Sequence, residues 1–389
     1  MGEQSYDGYV DKSPFKNWTT LDGRRTFKRN VGDKGYLMKE TDITTITDWT
    51  NEYEHIFAHT AASLNCPNPG YWSAIEYVGS KSQLFVGGDM QDFLTATNDP
   101  LFWSLYAMVD FIWEQWRELY QPILSDREKQ YPANDTTCSG PAHFRNSPMI
   151  PFNNFKVIDG LSTKYTHTFS ANVELVTVLP KLKSVVHAPI IALESAMKAN
   201  ARTTFALKNL RLPTRIYNAK PLQINTIYDC MDLACLCRFL NGTFTSKCVL
   251  PNGEELKKAV RKEYRSLTDE ERERYHKAVI AIKANGEYDK LSMIHTTSTT
   301  SPAAHGGPGF LGWHREFIKR YEIALRTVDH TVALPYWDST IEEMLHVKQD
   351  STLWSKELMG EPDDDGYCSG VEADSGFRFA GLPELTGLQ

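Results

Sequence analysis

Apolar residues recur at helical spacing in both outer thirds of the chain. After Asp99-Pro100 an apolar stripe runs across residues 102–116 and predicts a long amphipathic helix. Aspartate is a favoured N-cap and proline is favoured at the first helical position, so this pair marks where the helix begins. A second stripe predicts a helix over residues 42–64. These patterns favour a mainly α fold.

The C-terminal third carries clearer helix boundaries. Thr268 and Glu271 form a capping box, and the helix that it opens should end at Asn285-Gly286. Another helix is predicted from Phe310 to about Val328. Between residues 166 and 225 the pattern is weaker, with a possible strand at 173–178, and a plain linker explains this stretch equally well. We therefore expect a mainly helical protein with small β elements and long loops.

Composition removes several classes of function. The chain has 389 residues, of which 41% are hydrophobic and 12% aromatic, enough to bury a sizeable core. The formal net charge is −7 and no dense run of Lys or Arg occurs, which argues against binding to nucleic acid or to an anionic membrane. Since no run of 18 apolar residues occurs, the sequence predicts no transmembrane helix.

Cysteines and glycosylation sequons indicate a secreted protein. Four of the seven cysteines cluster without the Cys-x2-Cys pairs of a usual zinc ribbon, so disulfides are favoured over zinc. The clustered residues are Cys230, Cys235, Cys237 and Cys248. Sequons occur at Asn17, Asn134 and Asn241. The sequence opens at Met1 without a signal peptide, so secretion requires one that is missing from this chain. One cysteine of the seven would stay free or pair outside the chain.

Three histidines within twenty residues form the densest chemical signal: His295, His305 and His314. His314 falls on the apolar stripe of its predicted helix, while His305 lies in a glycine-rich loop. A single histidine on such a stripe is more often a core residue than a ligand, but three together favour a metal. Neutral imidazole suits copper, zinc, iron or nickel, and an all-nitrogen three-coordinate site suits copper in particular.

Three other histidines receive a plainer interpretation. His55 and His59 have the i, i+4 spacing of a chelating pair on the predicted 42–64 helix, but they lie off its apolar stripe. His276 lies on the helix that Thr268 opens. We interpret all three as solvated surface residues.

The run from His305 to Phe317, His-Gly-Gly-Pro-Gly-Phe-Leu-Gly-Trp-His-Arg-Glu-Phe, together with Leu-Pro-Tyr-Trp-Asp at 334–338, resembles the first-copper signature of the tyrosinase family. That family of type-3 copper proteins includes catechol oxidases and molluscan hemocyanins. The Cys-rich stretch before it is similar to that of nematode secreted tyrosinase-like proteins. The resemblance implies that His295, His305 and His314 ligate one copper, and that Arg315 and Asp338 brace the motif as an ion pair. Gly312 departs from the family's usual proline.

The N-terminal third resembles the second-copper signature of the same family, with Gly-Gly at 87–88, Asp-Pro at 99–100 and Val-Asp-x-Ile-Trp at 109–113. The family's ligand positions fall here on Gly79, Gln83, Leu105 and Tyr106. None of these is a histidine, so we expect no second copper, and we interpret Tyr106 as a core residue.

Three segments follow from this resemblance. Residues 1–165 form a degenerate second-copper half, 166–225 a linker with possible strands, and 226–389 a Cys-rich segment with a first-copper half. Similar sequence follows Met1 and Met359, a weak repeat. The chain is therefore either a fragment of a tandem protein or a permuted domain in which the two halves form the helical bundle of type-3 copper proteins.

The resemblance implies copper-dependent oxidation of phenols or catechols to o-quinones with dioxygen, which uses two coppers held by three imidazoles each. With one intact half-site, two-copper activity of this chain alone is doubtful. The alternative is an inactive secreted relative with a structural or matrix role. An oxygen carrier also needs two coppers and is disfavoured for the same reason.

Overall fold

A computed structural model describes residues 8–50, 52–57, 66, 74–165, 224–296 and 301–362. The described residues belong to one compact unit, to which residues 1–170 and 223–389 contribute. The strand expected at 173–178, His59, Cys368 and the first seven residues, which carry one copy of the weak repeat, lie outside the described residues.

The described part of the chain is mostly helical, as the sequence predicts. Its α-helices are α1 (Glu40–Thr44), α2 (Ile75–Val86), α3 (Leu101–Tyr120), α4 (Leu124–Arg127), α5 (Leu233–Phe239), α6 (Asp269–Ala284), α7 (Glu287–His295), α8 (Gly309–Val328) and α9 (Thr340–Glu343). The three long helices agree with the predicted ones. The Asp99 carboxylate accepts a hydrogen bond from the backbone N–H of Leu101 at 2.9 Å, and the capping box of Thr268 and Glu271 is formed.

The single helix predicted over residues 42–64 is wrong. In its place α1 passes into a π-helical turn at Thr45–Trp49, and a 3₁₀ turn follows at Tyr53–Ile56. Threonine explains the break, because its hydroxyl competes for backbone carbonyls and its branched side chain disfavours regular helix. The Thr45 hydroxyl donates to the carbonyl of Thr41 at 2.6 Å.

Charged residues join α3 to α8 inside the core. Arg315 on α8 donates to Asp110 on α3 at 2.6 Å, and it also contacts Glu114. Arg261 bridges Asp110 at 3.0 Å and Glu322 of α8 at 2.8 Å. Burial alone would raise the pKa of Glu114, but the neighbouring Arg315 and Arg117 lower it below its ordinary value. This network fixes how the two helices face each other.

The predicted ion pair between Arg315 and Asp338 is wrong. Asp338 precedes α9, and its carboxylate accepts from the backbone N–H of Thr340 at 3.1 Å and from the Thr340 hydroxyl at 2.6 Å. It therefore stabilises the start of a short helix, while Arg315 finds its partners on α3.

Two glycines bring α8 close to a neighbouring turn. The 3₁₀ segment Val157–Leu161 packs on α8 at the point where Gly160 faces Gly312. A Cβ added to Gly160 would stand 2.5 Å from the carbonyl oxygen of Gly312. Gly312 thus has a packing role here in addition to its place near the helix start.

Small sheets and disulfides complete the periphery. β1 (Gly8–Tyr9) pairs antiparallel with β2 (Lys28–Arg29). β3 (Thr243–Phe244), β4 (Cys248–Val249) and β5 (Glu255–Leu256) form an antiparallel sheet in that order. Three disulfides are formed, Cys230–Cys235, Cys237–Cys248 and Cys66–Cys138, which confirms disulfides over zinc for the cysteine cluster.

The N-terminal and C-terminal segments of the described unit meet at its edge. Lys12 forms an antiparallel bridge with Glu361, whose backbone N–H donates to the Lys12 carbonyl at 2.9 Å. The fully buried Arg29 forms an ion pair with Asp99 and donates to the carbonyl of Met359 at 3.0 Å. Among the described helices, none is both long enough and apolar enough to cross a membrane.

Candidate metal centre

The three predicted histidines come together in the structure. His295 ends α7, His305 lies in the loop that follows, and His314 lies in the second turn of α8. One ring nitrogen from each lies within 4.8 Å of the others. The Nε2 atoms of His295 and His314 are 3.5 Å apart. We call these three residues the histidine triad.

Backbone carbonyls orient two of the imidazoles. Nδ1 of His295 is 3.0 Å from the carbonyl oxygen of Phe93, and Nδ1 of His314 is 2.9 Å from that of Phe310. A carbonyl oxygen only accepts, so each Nδ1 donates its hydrogen and the lone pair of each neutral ring lies on Nε2. Such a hydrogen bond on the far nitrogen is the usual support of a metal-binding histidine.

The triad fits a transition-metal ion of the copper type. Burial lowers the pKa of His295 to about 4, and burial together with the neighbouring rings holds the pKa of His305 and His314 well below the ordinary value. The rings are therefore neutral, and the lone pairs of two Nε2 atoms face each other across 3.5 Å. Nitrogens about 2 Å from a shared ion have a separation of this order.

Two side chains that sequence reasoning missed hold the His305 loop. Both carboxylate oxygens of Glu76, on α2, accept from the backbone N–H of Gly306, at 3.0 and 3.1 Å. Nδ1 of the buried His143 accepts from the N–H of Gly309 at 3.2 Å. Burial raises the pKa of Glu76 to about 8, although the Gly306 hydrogen bond acts in the opposite direction. One available signal was a glutamate among the buried positions of an otherwise apolar helix start.

The positions that correspond to a second copper half lie on α2 and α3. Gly79 and Leu105 are buried, and a Cβ added to Gly79 would already stand 3.2 Å from Val109. Gln83 is half-buried. The Tyr106 ring lies parallel to that of His314, with ring centroids 4.2 Å apart and 14° between the planes. Tyr106 is thus a core residue, as predicted, and it also covers one side of the triad.

Of the histidines interpreted as surface residues, the structure describes His55 and His276, and only His55 lies at the surface. His55 is partly exposed and lies 3.2 Å from Glu52, in keeping with a surface position. His276 is buried, with 8% exposure, and its Nε2 lies 2.7 Å from the hydroxyl of Tyr264. Its interpretation as a solvated residue is wrong, because α6 turns this position toward the core, where Tyr264 satisfies its polar atom.

Comparison with known families agrees with this geometry. The model of the common central domain of tyrosinase matches residues 2–119 and 285–378, which together are more than half of the chain. The chain belongs to the tyrosinase family. The second matched segment contains the triad, and the first contains α2 and all but the last residue of α3.

This tyrosinase-family chain is similar to curated proteins from several organisms. It is 50% identical to the tyrosinase-like protein tyr-3 of Caenorhabditis elegans over 137 residues, which are 35% of this chain and 20% of that protein. It is 38% identical to the tyrosinase of Streptomyces galbus over 110 residues, 26% of this chain and 38% of the relative. Tyrosinase-like protein 1 of Margaritifera margaritifera is 36% identical over 135 residues, 33% of this chain and 26% of the relative.

The chain therefore spans between about a fifth and two fifths of the length of these relatives. No solved structure matches it. Membership of the tyrosinase family gives copper as the cofactor and, at the level of the family, copper-dependent oxidation of phenols.

Proposed function

We propose that this member of the tyrosinase family binds one copper ion through Nε2 of His295 and His314 together with a ring nitrogen of His305. The observation that carries the proposal is the convergence of three neutral imidazole nitrogens within 4.8 Å. Imidazole is a good ligand for copper in both of its common oxidation states. When bound, copper supplies one-electron chemistry and a site at which dioxygen or a phenol can coordinate.

We further propose that residues 1–165 and 226–389 are the two halves of one tyrosinase-type bundle, joined through residues 166–225. The ion pairs from Asp110 to Arg261 and Arg315 support this arrangement, because they join the two halves inside one buried network. The stacking of Tyr106 on His314 supports it as well, because it places a position that corresponds to a family ligand opposite the triad.

The oxidation of a phenol or catechol by two coppers is not expected of this chain alone. The positions that would hold a second ion are Gly79, Gln83, Leu105 and Tyr106. Glycine and leucine offer no ligand atom, and a neutral amide is a poor ligand for copper. Burial and then the nearby Glu76 raise the pKa of Tyr106 far above its usual value, which keeps its phenol protonated and weakly coordinating.

An inactive secreted relative with a structural or matrix role is the second candidate, and the four substituted positions favour it. Secretion is supported by the three disulfides and by the sequon residues Asn17, Asn134 and Asn241, all of which are exposed. Phenols or catechols and dioxygen remain the small molecules that the family chemistry suggests.

Copper stoichiometry tests the proposal. Purified chain is loaded with Cu(II), freed of excess metal, and assayed for copper content and for the paramagnetic resonance signal of isolated Cu(II). We expect one copper per chain with a full signal, and none in His314→Ala. His276→Gln, which changes a buried histidine outside the triad, should keep one copper.

Two coppers per chain with a silent resonance signal, as a coupled pair gives, would contradict the single-copper proposal. No copper in the parent chain would contradict it in favour of the structural role. A catechol turnover assay on the loaded chain then separates an oxidase from a protein that only holds the metal.

A further inference from the structure

We propose that the phenol side chain of Tyr106 occupies, from inside the protein, a site beside the histidine triad that would otherwise take the ring of a single-ring phenol. The inference deepens the proposed function and rests on it, because a ring site has this meaning only next to a copper ion. The inference is about whether a substrate can reach the histidine triad, which does not follow from copper binding.

The surroundings of Tyr106 form a cage for one aromatic ring. His314 stacks on one side, with ring centroids 4.2 Å apart, and Phe102 lies at 4.4 Å with a tilt of 34°. Phe310 at 6.0 Å and His295 at 6.4 Å complete the surroundings. These are the distances of favourable ring–ring contacts. The cage therefore accommodates one flat aromatic ring, and Tyr106 itself supplies it.

The cage includes two residues of the triad. Tyr106 contacts the rings of both His314 and His295, so its side chain fills the space immediately next to the nitrogens that would hold copper. Only 5% of its surface remains exposed. A phenol arriving from solvent would have to displace this ring in order to stack on His314.

The backbone gives Tyr106 little freedom to move aside. It lies in the second turn of α3, and one helical turn later Asp110 forms its buried ion pair with Arg315, the residue after His314. The ion pair thus ties the helix that carries Tyr106 to the helix that carries His314. The occupant of the cage is a permanent part of the fold, and we infer that the native chain excludes free phenols from the triad.

The experiment removes the Tyr106 ring by substitution and measures whether a small phenol binds in the space that it leaves. p-Cresol has the structure of the tyrosine side chain, and engineered apolar cavities in proteins do bind aromatic molecules of matching size. Binding of p-cresol to the metal-free chain is measured by thermal shift and by the proton resonances of the triad imidazoles. The variants are Tyr106→Ala, the milder Tyr106→Leu, and Tyr275→Ala as a matched control.

Tyr275 is a buried tyrosine whose described ring contacts are with Tyr264 and His276. A cavity at this position should therefore leave the triad resonances unchanged, whether or not p-cresol enters it. In Tyr106→Ala, p-cresol should bind at least about tenfold more tightly than in the parent chain and should shift the His314 resonances. Tyr106→Leu provides the same comparison if the alanine variant does not fold.

Two results would overturn the proposal. One is p-cresol binding in the parent chain with shifts at the triad, which would mean that Tyr106 leaves the ring site open. The other is a folded Tyr106 variant that does not bind p-cresol. Because both measurements use metal-free protein, they stand even if the copper stoichiometry contradicts the proposed function. Conversely, one bound copper without p-cresol binding would leave the copper proposal intact.

Discussion

Arg315 donates from Nε to Oδ1 of Asp110 at 2.6 Å, across 205 residues of sequence. Arg315 follows His314 directly, and Asp110 stands one helical turn beyond Tyr106. The pair therefore ties the helix that supplies a triad histidine to the helix that faces it. Asp110 also pairs with Arg261, so one buried carboxylate is shared by two guanidinium groups, each of which has a second carboxylate partner in Glu322 or Glu114.

We predict that Asp110→Asn strongly destabilises the protein. The substitution keeps the shape of the side chain but leaves Arg261 and Arg315 with less negative charge in a buried place, where breaking such a pair costs about 3–5 kcal/mol. Urea unfolding of the two proteins measures the difference. Glu273→Gln, at an exposed ion pair with Lys277, should leave the unfolding curve unchanged. Equal effects of the two substitutions would show that burial of the Asp110 network contributes nothing.

Glu76→Gln should weaken copper binding while the protein stays folded. Because the pKa of Glu76 is about 8, the comparison is made at pH 9, where Glu76 is a carboxylate whose two oxygens both accept from the N–H of Gly306. An amide has one accepting oxygen and carries no charge, so it holds Gly306 less firmly. Loss of a group that supports a metal ligand typically costs 10- to 100-fold in affinity, and we expect a decrease of about that size. Competition against a copper chelator measures it.

The control for Glu76 is another buried glutamate with a raised pKa. Glu342 contacts Arg265 and Trp337, and among the described contacts it touches no part of the triad or its loop. Glu342→Gln should lower stability and leave the copper affinity at the parent value. If both glutamine variants lose affinity to the same extent, Glu76 acts through general stability and not through the His305 loop.

Stability should fall in mild acid in part because of His276. Burial, and to a smaller extent Arg272, lowers the pKa of His276 from 6.5 to about 4. Between these two values the unfolded chain binds the proton more readily than the folded one. The free energy of unfolding therefore carries the full contribution of neutral His276 above pH 6.5. It should decrease as the pH falls to 4, by about 3 kcal/mol in total from this residue.

His276→Gln removes the titrating group and retains an amide that can bond to Tyr264. Urea unfolding of the metal-free parent and variant from pH 7.5 to 4 should give curves that converge as the pH falls. The triad histidines titrate in both proteins, so the difference between the curves reports His276. A constant difference across this range would contradict the prediction.

Gly160→Ala should destabilise the contact between α8 and the turn at Val157–Leu161. Its Cβ would stand 2.5 Å from a backbone oxygen of Gly312, so the two segments must separate, at a cost of about 1–3 kcal/mol. Gly312→Ala is the matched control on the opposite side. Its Cβ would lie 3.4 Å from Gly160, an ordinary contact, and alanine favours the helix, so stability should stay equal or rise. The melting temperatures of both variants, compared with that of the parent chain, measure the two changes in stability.

Local features of the fold were readable from the sequence because their causes are local. The Asp99-Pro100 start, the capping box of Thr268 and the stripe that carries His314 each depend on residues within a few positions of one another. The convergence of the three histidines was predictable for the same reason, since all of them lie within twenty residues.

Contacts between residues that are distant in the chain could not be predicted from the sequence. Asp338 was the nearer candidate for Arg315, and only the packing of α3 on α8 brings Asp110 to it instead. Glu76 reaches Gly306 across 230 residues, and no local pattern connects them. The helix expected over residues 42–64 failed for a different reason, because its apolar spacing was sound while its threonines competed for the backbone.

The bridge between Lys12 and Glu361 has a practical consequence for protein engineering. Paired strands run about 5 Å apart, so a linker of a few residues could join these two positions without stretching. A rearranged gene could then encode the triad segment first and the segment with Tyr106 second. If such a protein folds, the order in which the ribosome makes the two segments is irrelevant to how they fit together.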